Sequence, residues 1–360
     1  MANIQDIFSF RNISTAIESV KTGIPDRLPS VFNTITEKVF GNETTYHKFF
    51  GQRKLVQRTE YGAPSKGYSQ NPVTQQPVIL TSFNAHVTVE QELLLRLRNV
   101  NDLMAQQKAM DFIERKAREL KTRFENNRIA HKIQMLRKGA YWYDSSGNLL
   151  QSSSGAVATV DFGVPAGNQG QVSSCISATW ATTSTNIYGD IIALDKKAIQ
   201  ATGRPLKHFF YGNAIPTYIY KNDSFKNYFQ FNPQYFQAFA NKPGYIPDGF
   251  MGKTWHHMGD VFFENESGTV VQGWDDDILA MTPEIDSDVY TMFEGSKIVP
   301  TGMGVQTGET VNLGNTELVH GIHGYSVMTV DPIQVKLIIG DEGMPVWKNA
   351  ADLYIADVVP

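Results

Sequence analysis

A few side chains in this 360-residue chain are of types that do chemistry, and their spacing decides what chemistry is open to them. His256 and His257 precede Asp260, His320 and His323 have two residues between them, Asp275, Asp276 and Asp277 form a carboxylate run, and Cys175 is the single cysteine. Zinc hydrolysis needs imidazoles that converge with a carboxylate or thiolate and leave one position open for water. Neither His pair has the helical H-E-x-x-H spacing, and His320-Gly-Ile-His323 reads as a glycine-rich loop. The Asp run after Trp274 lacks the spaced oxygens and the glycine of a calcium loop, so it reads as a solvated turn. Gly302-Met-Gly304 has no lysine-serine pair and no following helix, which leaves turns in place of a phosphate loop. Cys175 reads as a small buried side chain, and no nucleophile elbow is present. These residues assign no catalytic group, no metal and no cofactor. A metal-dependent hydrolase on His256, His257 and Asp260 stays as the alternative that stoichiometric zinc would favour.

The element that must position everything else is the stretch from Asp102 to Lys138. Apolar residues at Met110, Ile113, Ala117, Leu120 and Phe124, then at Ile129, Ala130, Ile133 and Leu136, follow the three- and four-residue steps of a helix with one buried stripe. Asn101 can cap its start and Gly139 can end it. With no proline or glycine inside, it would be roughly 55 Å long. The chain offers no second helix of that length to make a bundle, so a spine lying across sheet is expected. The spine carries ten Lys and Arg against five Asp and Glu in a chain of formal net charge -4. Arg115, Arg118 and Arg123 are its candidate basic face, either simply solvated or set against packaged nucleic acid or an acidic neighbour.

Around the spine the order is α+β without a regular alternating repeat. Residues 1–53 hold sparse apolar clusters broken by Pro25 and Pro29 and read as an arm that finds partners elsewhere in the fold or on another subunit. Residues 54–89 read as an extended hairpin with a polar, Gly/Pro-rich tip around Tyr61, Lys66, Tyr68 and Gln70. An isolated hairpin of that length is marginal in water, which makes it an assembly signal, against the simpler reading of a surface loop. Beyond the spine, Asp190 is expected to cap a shorter helix with Ile191, Leu194, Ala198 and Ile199 as its stripe and Gly203 as its end. Leu206 to Tyr211 reads as a buried strand, Phe225 to Phe239 as short helices on a core, and 260–272 as a hairpin about Asn265 to Gly268. Further strands are expected from Ile278 to Val359.

Length allows a sizeable core in one large domain or two connected ones. The acidic balance argues against a dedicated DNA-binding domain. No apolar run reaches the ~20 residues that span a bilayer, and the first dozen residues lack an apolar signal core, so a soluble, intracellular product is expected. One cysteine suits a reducing compartment.

Pro77-Val-Ile-Leu80, Met135-Leu-Arg-Lys-Gly139, Val160-Asp-Phe-Gly163 with Pro165, Trp180, Asp190-Ile191 through Gly203-Arg-Pro205, and Tyr211-Gly-Asn-Ala214 with Asn222 form an ordered set. In that order the chain resembles the major capsid proteins of tailed bacteriophages, in particular the lambda-like capsid protein E group with the Hong Kong 97-type fold. The resemblance implies an N-terminal arm (1–53), an extended hairpin loop (54–89), a peripheral domain with the spine (90–174, joined by C-terminal strands) and an axial domain with C-terminal strands (175–360). It also implies assembly of the chain with itself into hexamers and pentamers, scaffold, portal and decoration partners, non-specific contact with packaged double-stranded DNA, no membrane, and a place in the virion capsid after assembly in the bacterial cytoplasm. Some relatives cross-link through a loop lysine, but Lys66 is not assigned that role. A cellular shell of the encapsulin kind is the alternative within the same architecture.

Overall fold

Helix Leu103–Lys138 is the longest element of the structure, a computed structural model that describes residues 28–48, 74–98, 103–170, 175–264, 268–307, 310–312, 314–330 and 333–359. Its expected cap Asn101 lies outside those residues. At the other end Gly139 takes φ +66° and donates its N–H to the Met135 carbonyl, a left-handed stop that an L side chain would strain. From Ile113 onward the apolar stripe is buried except for the half-buried Ala130, but against two different cores. Ile113, Ala117, Leu120 and Phe124 pack on Val89, Val335, Leu337 and Ile339. Ile129, Ile133 and Leu136 enter a larger core with Phe32, Tyr141, Phe162, Tyr290 and Trp347.

The first of these cores belongs to a five-stranded sheet in the order Thr310–Asn312, Gly304–Thr307, Ile322–Thr329, Gln334–Asp341, Phe83–Val89. Gly304 thus opens a strand. A second five-stranded sheet runs Gln169–Gly170, Tyr354–Asp357, Ile278–Thr282, His208–Tyr211, Thr254–His257. Its central strands, Ile278–Thr282 and His208–Tyr211, are buried at every position because both of their faces are dry. Side chains alternate across a strand. Phe210, Ile278, Ala280 and Ile355 therefore fill the large core beneath the spine, while Phe209, Tyr211, Leu279, Met281, Tyr354 and Ala356 fill a third core. Helix Ile187–Thr202 and the short helices Ile215–Lys221, Lys226–Phe231 and Pro233–Asn241 cover that third core, as expected for the aromatic-rich segment.

Several expectations shift by a few residues for physical reasons. Asn186, not Asp190, caps the shorter helix by accepting the Gly189 N–H. Asp190 sits buried in the first turn, where its carboxylate accepts Trp180 Nε1–H at 3.0 Å and the Ser177 N–H at 3.1 Å. Ile199 is exposed and drops out of the stripe. In the hairpin, Thr74–Ile79 pairs antiparallel with Glu43–Lys48, a strand lying in the segment read as arm, and Phe83–Val89 joins a different sheet. The Thr44-Thr45-Tyr46 alternation explains this: Thr44, Tyr46, Gln76 and Val78 share one face, on which Tyr46 and Val78 are buried. Residues 28–38, in the segment read as an arm with partners elsewhere in the fold or on another subunit, find theirs within the fold. Leu28 and Phe32 lie in the large core, and Thr36–Lys38 runs parallel to Tyr290–Glu294.

Tyr211-Gly212-Asn213 turns the chain at a point of very close approach. A Cβ on Gly212 would lie 2.2 Å from the Asp275 carbonyl oxygen and 2.4 Å from that of Asp276, both backbone atoms. Gly212→Ala should therefore cost about 2–3 kcal/mol, read as a lowered urea midpoint with unchanged slope.

Candidate functional site

The strand Thr254–His257 sends neighbouring side chains to opposite faces, which separates His256 from His257. His256 stacks between Phe210 and His208, at 4.9 and 5.3 Å between ring centroids, with its Nε2 3.1 Å from His208 Nδ1. Burial, with His208 adding to it, pushes His256 down to about 4. His257 instead donates from Nε2 to Asn213 Oδ1 at 2.9 Å and faces the Asp260 carboxylate at 3.3 Å. The three residues of the hydrolase alternative thus do not converge, and its geometric basis is lost. Among the described residues no group of three or more His, Cys, Asp or Glu is placed to hold a metal ion.

The other candidates have structural explanations. His320 and His323 end one strand and begin the next around Gly321, not within a loop. The His320 ring meets Phe40, while His323 bonds the Gly321 carbonyl through Nδ1 and stacks beside Tyr325. Burial pushes the Cys175 thiol up to about 11, far from thiolate chemistry. The Asp run is a turn that solvent reaches, as expected, but its carboxylates are paired. Asp275 takes Arg137 at 3.0 Å and Lys138 at 3.1 Å from the end of the spine, Asp276 accepts from Asn213 and Gln272, and Asp277 accepts from Tyr218. It joins the spine to the aromatic helices.

What the structure does concentrate is charge on the spine. Arg128 donates twice to Asp341, at 2.7 and 2.6 Å, and once to Glu294 at 3.1 Å. Burial works against its charge, but the Asp341 and Glu294 carboxylates outweigh burial and hold it protonated above the ordinary guanidinium range. Lys132 donates to Asn33 and Arg137 to Gln151 and the Gly273 carbonyl. None of these roles was visible in a sequence reading that treated them as members of a basic face; an arginine one turn from the stripe, and Asp341-Glu342 after an apolar strand, were the available signals. An open cavity of about 290 Å³ lies beside Arg128, where the spine meets the 31–36 segment, lined by Phe32, Glu125, Ile129, Lys132 and Met292.

The face proposed from sequence is different. Arg115, Arg118 and Arg123 are exposed, in the half of the spine before these anchors. Glu114 pairs with Arg118, and Glu119 lies 4.0 Å from Arg115 and 2.6 Å from Lys116, so the face keeps only part of its positive charge. Tyr61, Lys66, Tyr68 and Gln70 lie outside the described residues. They fall between Lys48 and Thr74, the two ends of a hairpin that pairs with no third strand among the described residues.

The sequence matches the model of the family described as phage major capsid protein E over residues 9–356, and the chain belongs to that family. No curated protein matches it. Among solved structures it is similar to one described as a prophage capsid protein from Escherichia coli CFT073, with TM-score 0.53 and 9% identity over 97% of this chain and 99% of that one. A phage-related protein from Bordetella bronchiseptica RB50 gives TM-score 0.49 and 8% identity over 99% and 98% of the two chains. The holo-SrpI encapsulin complex of Synechococcus elongatus gives 0.41 and 8% over 96% and 95%. The fold is the Hong Kong 97-type capsid fold, and the chain is a phage major capsid protein.

Two anchors on the spine yield measurable expectations. Arg128→Met leaves the Asp341 carboxylate buried without its bidentate partner and should cost about 3–5 kcal/mol in urea unfolding. His131 is buried, its Nε2 2.9 Å from the Tyr143 hydroxyl and its Nδ1 2.6 Å from the Asn127 carbonyl, and burial pushes it down to about 4. It stays neutral in the fold, whereas an unfolded imidazole protonates near 6.5. Its contribution is thus complete above about pH 6.5 and declines by up to ~1.4 kcal/mol per unit as pH falls toward 4. In His131→Gln the slope of stability against pH in that window should be shallower by up to that amount.

Proposed function

We propose that copies of this chain close into an icosahedral shell of hexamers and pentamers that encloses the double-stranded DNA of a tailed phage. The observation that carries this reading is the hairpin Glu43–Lys48 and Thr74–Ile79. It is anchored in the core by Tyr46 and Val78, yet it pairs with no further strand among the described residues, and its apolar Ile79 is exposed. Two strands do not hold by themselves in water, so a neighbour that covers them is part of the design. The chain between them, with Tyr61, Lys66, Tyr68 and Gln70, is the contact to that neighbour. Heterologous edges of this kind close into rings.

On this reading the N-terminal arm reaches a second neighbour, and the spine's Arg115, Arg118 and Arg123 face the interior, where residual positive charge meets phosphate without sequence preference. Scaffold, portal and decoration proteins complete the assembly, which takes place in the cytoplasm of the bacterial host. The test is deletion of residues 62–70. Negative-stain microscopy should find closed particles from the unaltered chain and none from the deletion, whose circular dichroism stays that of a folded subunit. Closed particles from the deletion would overturn the proposed contact.

A further inference from the structure

The outer strand of the second five-stranded sheet is tied to its neighbour by two imidazoles bonded to each other. Thr254–His257 pairs parallel with His208–Tyr211, with Thr254 beside His208 and His256 beside Phe210. No further strand pairs with its outer edge among the described residues. Side chains alternate along each strand, so His208, Phe210 and His256 stand together on the side of the large core, where Phe210 is buried. The His256 ring is tilted only 21° from Phe210 and 29° from His208, and its Nε2 lies 3.1 Å from His208 Nδ1. The other nitrogen of His208, Nε2, is buried 3.7 Å from Glu284 Oε1. That is beyond hydrogen-bond reach but within reach of the charge.

This geometry fixes how many protons the pair can hold. A hydrogen bond between two imidazoles needs one N–H and one lone pair. Glu284 favours an N–H on His208 Nε2, which leaves His208 Nδ1 as the acceptor and His256 Nε2 as the donor. One added proton makes the pair imidazolium and imidazole, still joined, by a bond that the charge strengthens. A second proton takes the last lone pair, and two N–H groups of like charge then face each other. Lys207 and Glu284, which pair with one another, are the charged groups that act on His208, and His208 is the titratable group that acts on His256. Burial holds both rings below the ordinary imidazole range, whereas in an opened strand each protonates near 6.5. The tie is therefore complete above about pH 6.5 and weakens as pH falls below it. We propose that His208 and His256 form an acid-sensitive latch on the sheet edge, which holds strand Thr254–His257 while one ring keeps a lone pair and lets it open when both rings are protonated. The latch belongs to the folded subunit and does not depend on how copies assemble.

Hydrogen exchange read by mass spectrometry on the full chain tests it. The edge peptide contains the Thr254 and Met258 amides, which donate to the Lys207 and Tyr211 carbonyls, and the reference peptide is the central strand Ile278–Thr282. After correction for the chemical exchange rate at each pH, opening of the edge should rise at least about tenfold more than that of the reference between pH 7 and pH 4.5, and reverse on return to pH 7. In His256→Gln, whose amide still donates to His208 but takes no proton, the difference between the two peptides should stay within about threefold over the same range. Glu284 is exposed, so Glu284→Gln leaves the strands untouched while removing the carboxylate that favours the first proton. Its edge should open about two- to fivefold more than that of the unaltered chain at pH 5. Edge and reference that open together in the unaltered chain overturn the proposal. So does a pH response in His256→Gln equal to that of the unaltered chain, or an edge that opens no further in Glu284→Gln.

Discussion

A guanidinium held out of water constrains this subunit more than any other single group. Arg128 lies on the spine between Phe124, which packs in one core, and Ile129, which packs in the next. Its partners Asp341 and Glu294 end two strands from different sheets. A buried charge tolerates little displacement, because any lost partner leaves an ion in a medium that cannot solvate it. Helix and both strand ends must therefore arrive together. Gly343 and Gly321 reflect the same crowding: a Cβ at either would come within 2.6 and 3.0 Å of the Arg128 guanidinium, respectively. The Asp275 contact to Arg137 and Lys138 repeats the arrangement at the far end of the helix with more exposed partners.

The spine has one side committed to the cores, and on the other side the half that precedes these two fixed points is left to solvent. The division of labour follows the sequence of the helix. Up to Phe124 its charges pair locally at i, i+3 and i, i+4 spacing, which is worth only a few tenths of a kcal/mol each. From Arg128 onward its charged and polar side chains reach strands, loops and backbone carbonyls far away in sequence. The surface half thus keeps its side chains in solvent while the anchored half holds its place in the fold.

How much of this was legible depends on the range of the interaction. The spine was readable because its stripe and its terminating Gly139 are local signals. The shorter helix was readable too, but Asp190 was assigned to the cap because a carboxylate suits that place. Its indole partner Trp180 and the competing Asn186 decided otherwise. Pairing partners were beyond reach: nothing near Glu43 says that it meets Ile79, since a hairpin with a long connection has no turn residues to set its register. His256 and His257 illustrate the converse. Adjacent imidazoles look like a site on paper, and the two-residue period of a strand sends them to different environments. The three aspartates lie in the solvated turn that was expected, but their partners, Arg137, Asn213 and Tyr218, could not be read because they come from three separate elements.

The sheet that divides the large core from the aromatic one has a consequence for how the molecule comes apart. Neither side owns it: removing Phe209 and Leu279 from their core strips one wall, and removing Phe210 and Ala280 strips the reverse of that same wall. Neither compartment can melt while the other stays dry, since each would take the partition with it. Heat and denaturant should meet these two compartments as a single cooperative unit, in which separate transitions of the two cores have no place.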